Sequence, residues 1–178
     1  MNDKTKGRLI VFTGLGKGKT TAGLGLAVRA VGRGLKVLVI QFMKARTDIG
    51  EYKAAERLAP DLEWRVRGSG FIYPNDPPSL ERAKVKARAA LEEAAAELRG
   101  AWDLVVLDEA LYAIQFGLFS AAELVAALRA RKESVHVVVT GGSEAPAEIL
   151  ELADTATEMR KIKHAFDQGV QAQEGIEF

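Results

Sequence analysis

The stretch Leu9–Thr21, LIVFTGLGKGKTT, leaves this chain few choices of architecture. An apolar run of strand composition, Leu9–Thr13, passes directly into spaced glycines and then into Lys19, Thr20 and Thr21, where a second apolar pattern of helical length begins. Strand, loop and helix start together suit a polyphosphate. Gly14, Gly16 and Gly18 let the backbone turn with its N–H groups facing inward. Lys17 and Lys19 bring positive charge, and the Thr20 hydroxyl stands where it can complete the shell of a Mg²⁺ that already has phosphate oxygens and water. The positive end of the helix dipole falls at the same point. The spacing departs from G-x-x-x-x-G-K-[ST], because position 13 is threonine and the first glycine is displaced to Gly14.

The whole chain, residues 1–178, reads as a single domain: 178 residues, 48% of them hydrophobic, bury a sizeable core without a second unit. A formal net charge of +1 supplies no basic field for duplex nucleic acid. With no cysteine there is no disulfide, thiolate metal site or thiol catalysis. The opening MNDKTKGR has no apolar targeting core, and no later run approaches the ~20 residues of a bilayer span, so the expected compartment is the cytoplasm, with no membrane partner.

Periodicity predicts the other elements. Lys19 to about Val31 is a helix, apolar nearly all round and therefore expected to be buried. Lys36–Phe42 is a second apolar strand suited to a parallel sheet covered on both faces. Tyr52–Leu58 is helical, and Leu62–Arg67 alternates as a half-exposed strand. A glycine- and proline-rich loop, 68–78, carries Phe71 and Tyr73. Ser79 is placed as the cap of a helix running to about Arg99, whose Arg82, Lys84, Lys86 and Arg88 spread around a solvated surface. Ser120 caps Ala121–Ala130, and Ser134–Thr140 is a strand in which His136 packs or hydrogen-bonds. A short helix follows from about Pro146 to Leu152, then a strand around Ala156–Lys163 and a final loop. The order implies an α/β fold: five or six mainly parallel strands, helices on both faces, and the site at the strands' carboxyl ends.

The strand DLVVLDE, Asp103–Glu109, closes on two adjacent carboxylates. At the carboxyl end of a central strand, Asp108 can hold Mg²⁺ directly or through water, and a metal role is expected for at least one of Asp108 and Glu109.

Taken together, TGxGKGKTT, QF(x)K, GxGF, LDE and the C-terminal EMRKIKHAFDQGVQAQEGIEF resemble the P-loop family of ATP:corrinoid adenosyltransferases over nearly the whole chain. The displaced first glycine is that family's own version of the loop. The resemblance implies a P-loop NTPase-like fold and a reaction in which cobalt(I) of a corrinoid attacks the 5′ carbon of ATP, forming a cobalt–carbon bond and releasing triphosphate. Cobalt(I) is itself a strong nucleophile, so no side chain has to be activated and no general base is needed. Lys19, Thr20 and Glu109 are then the catalytic candidates. Gly14, Gly16, Lys17, Gly18, Lys19, Thr20, Thr21, Lys44 and His164 are candidates for binding nucleotide or corrinoid, and Thr20, Asp108 and Glu109 for holding Mg²⁺ or Mn²⁺. The family's pair of aromatics facing the lower side of the corrin falls on Phe71 and Tyr73. The corrinoid is cobalamin, cobinamide or cobyrinic acid diamide; a homodimer and a flavoprotein reductant are family expectations. Two departures stand out: Leu15 replaces a usual asparagine, and Gly142 occupies the place of an arginine. Alternatives are a conventional P-loop ATPase or kinase in which Glu109 orients water or a hydroxyl, and a nucleotide-dependent corrinoid carrier without chemistry.

Overall fold

The computed structural model describes residues 6–70, 72 and 75–177. Six strands form one sheet: β1 Leu9–Thr13, β2 Val37–Gln41, β3 Leu62–Val66, β4 Leu104–Asp108, β5 His136–Thr140 and β6 Thr155–Glu158. Their order is β3-β2-β4-β5-β1-β6 and every pairing is parallel. The helices are α1 Lys19–Val31, α2 Gly50–Arg57, α3 Pro77–Glu97, α4 Ala110–Gln115, α5 Ala121–Arg129 and α6 Ala147–Leu152, with a 3-10 turn at Ala165–Gln168.

Alternation along the central strands divides the apolar runs between two cores. Leu38, Ile40, Val105 and Leu107 face a cluster with Ala87, Leu91, Leu118, Leu124 and Leu128, contributed by α3 to α5 and the chain between them. Val37, Val39, Leu104 and Val106 face the other side with Ala27 of α1 and Ala55 of α2. Continuous apolar composition in β2 and β4 is thus explained by a sheet covered on both faces. β3 and β6 are the edges, and β6 is exposed along its length.

Four details differ from the sequence reading. Helix α1 buries only Lys19, Gly23 and Ala27, and Val28 is 56% exposed. The helix comes down on the sheet through Gly23, where a Cβ would stand 3.3 Å from the Thr140 methyl, so the small residues make the closest contact and Leu24, Leu26 and Val31 pack half-buried beside them. Helix α3 begins at Pro77, with Asp76 rather than Ser79 at its cap position, because prolines are tolerated in a first turn. Helix α4, directly after Glu109, has no counterpart in the expectation. β6 ends at Glu158, short of the expected Lys163. The cap at Ser120 forms as read, a full capping box with Glu123, and His136 accepts a hydrogen bond from the Arg8 N–H at 3.1 Å.

Candidate functional site

The loop between β1 and α1 packs against the chain leaving β6. The Gly16 N–H donates to the Met159 carbonyl at 2.6 Å. Gly14, at φ 103°, and Gly16 are held so close that a Cβ on either would lie 2.5 Å and 2.7 Å from that same oxygen. These two glycines are therefore required by the chain's own backbone, and one amide credited to the phosphate cradle is already engaged. Gly18, at φ 111°, caps α1 in the left-handed conformation that turns the loop into the helix.

Lys19 is buried and folds back into the loop, donating to the Gly14 carbonyl at 2.5 Å and the Gly16 carbonyl at 2.8 Å. Its ammonium also lies 5.8 Å from the centre of the Tyr112 ring. Burial lowers its pKa, and the opposing charge of Glu109 pulls it back up. Around this ammonium is a cavity of about 230 Å³ lined by Gly16, Lys17, Gly18, Lys19, Thr20, Thr21, Lys44, Glu51, Glu109, Tyr112, Gly141, Ile176 and Glu177. Three lysines and the N-terminus of a 13-residue helix converge there, an arrangement fitted to a polyanion.

The two carboxylates of the LDE motif part company. Asp108 is 1% exposed and does not line the cavity: one oxygen accepts from Gln41 Nε2 at 2.9 Å and the other from the Thr140 hydroxyl at 2.7 Å. Strand β5 also lies between β4 and β1, so Asp108 meets Thr140 rather than the loop. Glu109 does face the cavity. It adopts φ 61°, ψ 18°, and its Oε1 stands 3.8 Å from Lys44 Nζ while its buried Oε2 has no partner. Burial, then the neighbouring Asp108, push its pKa up to about 7, against Lys44 and Lys19.

This supplies a pH test. Below about 4.5, folded and unfolded chains both hold the Glu109 proton and the residue costs nothing; above about 7 the folded chain carries the full cost of a buried charge. Glu109→Gln is expected to stabilise chelator-treated, nucleotide-free protein above pH 7, by at most about 3 kcal/mol or several degrees in Tm, and to change nothing near pH 4.5. An equal gain at both pH values would refute the assignment.

The remaining candidates are placed as follows. Lys17 reaches the last residues of the chain, at 2.6 Å from Glu177 Oε1 and 3.3 Å from the Ile176 carbonyl. His164 caps the 3-10 turn by accepting from the Phe166 N–H and is not among the cavity's lining residues. Phe71 and Tyr73 lie outside the described residues. The start of their loop is tied beside Lys44, with the Gly70 N–H donating to the Met43 carbonyl at 3.0 Å. Leu15 is 72% exposed, and Gly142 sits at φ 66° with no room for a Cβ beside the Glu144 carbonyl, so the loop is built around glycine. Sequence reading missed Glu51, Tyr112, Gly141, Ile176 and Glu177 as cavity residues. Tyr112 follows Glu109 by three positions, the spacing of one helical turn, and was legible only to a reader who placed α4.

Comparison with known proteins decides the family. Residues 5–178 match the model of "ATP:corrinoid adenosyltransferase BtuR/CobO/CobP". The chain belongs to that family. A protein of Pseudomonas aeruginosa named corrinoid adenosyltransferase is 40% identical, the match covering 97% of this chain and 84% of the relative. An Escherichia coli K12 protein of the same name is 41% identical over 97% of this chain and 86% of its own length. A Sinorhizobium relative, also so named, is 36% identical over 97% and 81%. Among solved structures, the flagellar accessory protein FlaH of Methanocaldococcus jannaschii shares the fold, with TM-score 0.53 and 16% identity over 86% of this chain and 71% of that one. Of the motifs that carry the resemblance, Gly16–Thr21 of the loop, Lys44 and Glu109 line one cavity, while Gly14, Asp108 and His164 are not among its lining residues. Among the described residues no helix is long and apolar enough to cross a membrane.

Proposed function

We propose that this chain transfers the 5′-deoxyadenosyl group of ATP to cobalt(I) of a corrinoid and releases triphosphate. The observation that carries the reading is the convergence of Lys17, Lys19 and Lys44 with the α1 N-terminus on one cavity, in a chain of the ATP:corrinoid adenosyltransferase family. The cobalt lone pair forms the bond to C5′, the C5′–O bond breaks, and its electron pair leaves on the triphosphate. No proton is transferred. What the protein has to supply is alignment of two reactants and compensation of charge on the leaving group. Lys19 leaves the Gly14 and Gly16 carbonyls for phosphate oxygens, and Lys44 stands at the Glu109 side of the cavity.

The residues present fit a divalent cation. Glu109 offers a buried oxygen without a partner, and Thr20 lines the same cavity. Among the described residues no group of three or more His, Cys, Asp or Glu side chains gathers for a metal, in keeping with an ion that takes most of its shell from phosphate and water. Thr20 and Glu109 would hold it, and when bound it would offset triphosphate charge. Phe71 and Tyr73 are proposed to face the corrin from the loop anchored beside Lys44.

The unpartnered Glu109 oxygen also favours a second reading, a conventional ATPase or kinase in which that carboxylate orients water or a hydroxyl. Anaerobic incubation with ATP, Mg²⁺ and chemically reduced corrinoid separates the two. Free triphosphate and an adenosylated corrinoid are expected; ADP with phosphate, or no reaction at all with both ligands bound, would overturn the proposal.

A further inference from the structure

We infer that Thr140 is a positioning residue for Glu109, and that Asp108 serves Thr140 from inside the sheet. The inference depends on the adenosyl-transfer reading only for the choice of assay. The Thr140 side chain is fully buried at the end of β5. Its hydroxyl has one proton, given to Asp108 Oδ1 at 2.7 Å, and a free lone pair that accepts the Glu109 N–H at 3.0 Å. Asp108's other oxygen is taken by Gln41, itself 0% exposed. Direction is therefore fixed along the whole line: Gln41 and Thr140 donate to Asp108, and Glu109 donates to Thr140.

The end of this line is the one non-glycine residue with positive φ among the described residues. A glutamate holds φ 61° only when its surroundings enforce it. Thr140 holds it through the amide, and Gly141 leaves it room, since a Cβ there would stand 3.0 Å from the Glu109 Cα. The same conformation starts α4 and presents the Glu109 carboxylate to the cavity. Without the latch, the backbone relaxes toward negative φ and the carboxylate loses its place between the lysines. At 1% exposure Asp108 needs donors for both of its oxygens, and taking one of them from the Thr140 hydroxyl fixes which way that hydroxyl points.

A double-mutant cycle tests this. In the wild-type background Thr140→Val is expected to lower turnover at saturating ATP about 30-fold, and Thr140→Ser less than about threefold. In a Glu109→Gln background Thr140→Val should cost less than about twofold, because the group it positions is already gone. Titration calorimetry of Mn²⁺ into the ATP complex should show the same weakening for Thr140→Val as for Glu109→Gln, while ATP binding with chelator present is retained. Equal fractional losses in both backgrounds, or a serine variant as poor as the valine one, would make Thr140 a core residue and overturn the inference. Should Thr140→Val melt below the assay temperature, Thr140→Ala is read in the same cycle. A wild type that yields ADP instead of triphosphate defeats the proposed reaction, and the cycle still reports on positioning.

Discussion

Lys19→Ala is expected to lower turnover at saturating ATP by about 10²- to 10³-fold, with corrinoid affinity changed by less than about twofold. The size follows from where the ammonium sits and what happens around it. It is buried, held by two loop carbonyls, and its charge is worth most where water is excluded. In the proposed reaction charge grows on the triphosphate as the C5′–O bond breaks, so the interaction is stronger in the transition state than in the bound substrate and its loss falls on kcat. Measurement calls for chemically generated cobalt(I), so that reduction does not mask the transfer step. Equal turnover of variant and wild type at saturating ATP would remove Lys19 from the mechanism.

Gly16→Ala is expected to be as damaging by another route. The new Cβ would meet the Met159 carbonyl oxygen at 2.7 Å, its carbon at 2.8 Å and the Arg160 carbonyl carbon at 2.9 Å, all backbone atoms that cannot rotate away. Loop and tail have to separate, and the 2.6 Å hydrogen bond between them is lost. A stability loss of about 2–4 kcal/mol is expected, with ATP affinity down at least about tenfold, and with earlier tryptic cleavage at Arg160, Lys161 and Lys163. Gly25→Ala on α1, the helix that follows the loop, is the control: nothing lies within 4 Å of its Cβ position, and alanine is the better helix former. Should Gly16→Ala keep both its tail protection and its ATP affinity, close packing on Met159 is not what fixes the loop.

The four inner strands were legible because they are short apolar runs punctuated by glycine, and two-sided burial leaves a signal in composition. That Lys19 and Thr20 would line one cavity was legible because loop, cation and hydroxyl lie within a few residues of each other. What was illegible is pairwise and distant. Nothing in the string LDE says that Asp108 turns inward and Glu109 outward; that division depends on Thr140 arriving from β5 and on a backbone angle rare for glutamate. Nothing in Gly14 and Gly16 says that their neighbour is Met159. The expectation of an all-round buried α1 failed for a related reason: an apolar pattern reports which side chains tolerate burial, and the close approach over Gly23 decided which of them received it. Helix α4 was hidden because it is short and starts without a capping side chain, its N-cap being Glu109 in a left-handed conformation.

β1 hydrogen-bonds to β5 and to β6, both near the far end of the chain, and the loop that follows it leans on Met159 beyond β6. β1 therefore emerges during synthesis with both edges open until β5 and β6 exist. Contacts this distant in sequence slow folding, and an unpaired apolar strand is an invitation to aggregate while it waits. If the loop binds ATP as proposed, nucleotide competence is a late event: a nascent chain that has already made Lys19 lacks the seat for Gly16 until Met159 has been added, so it reaches the ATP of the cell with that loop still unset.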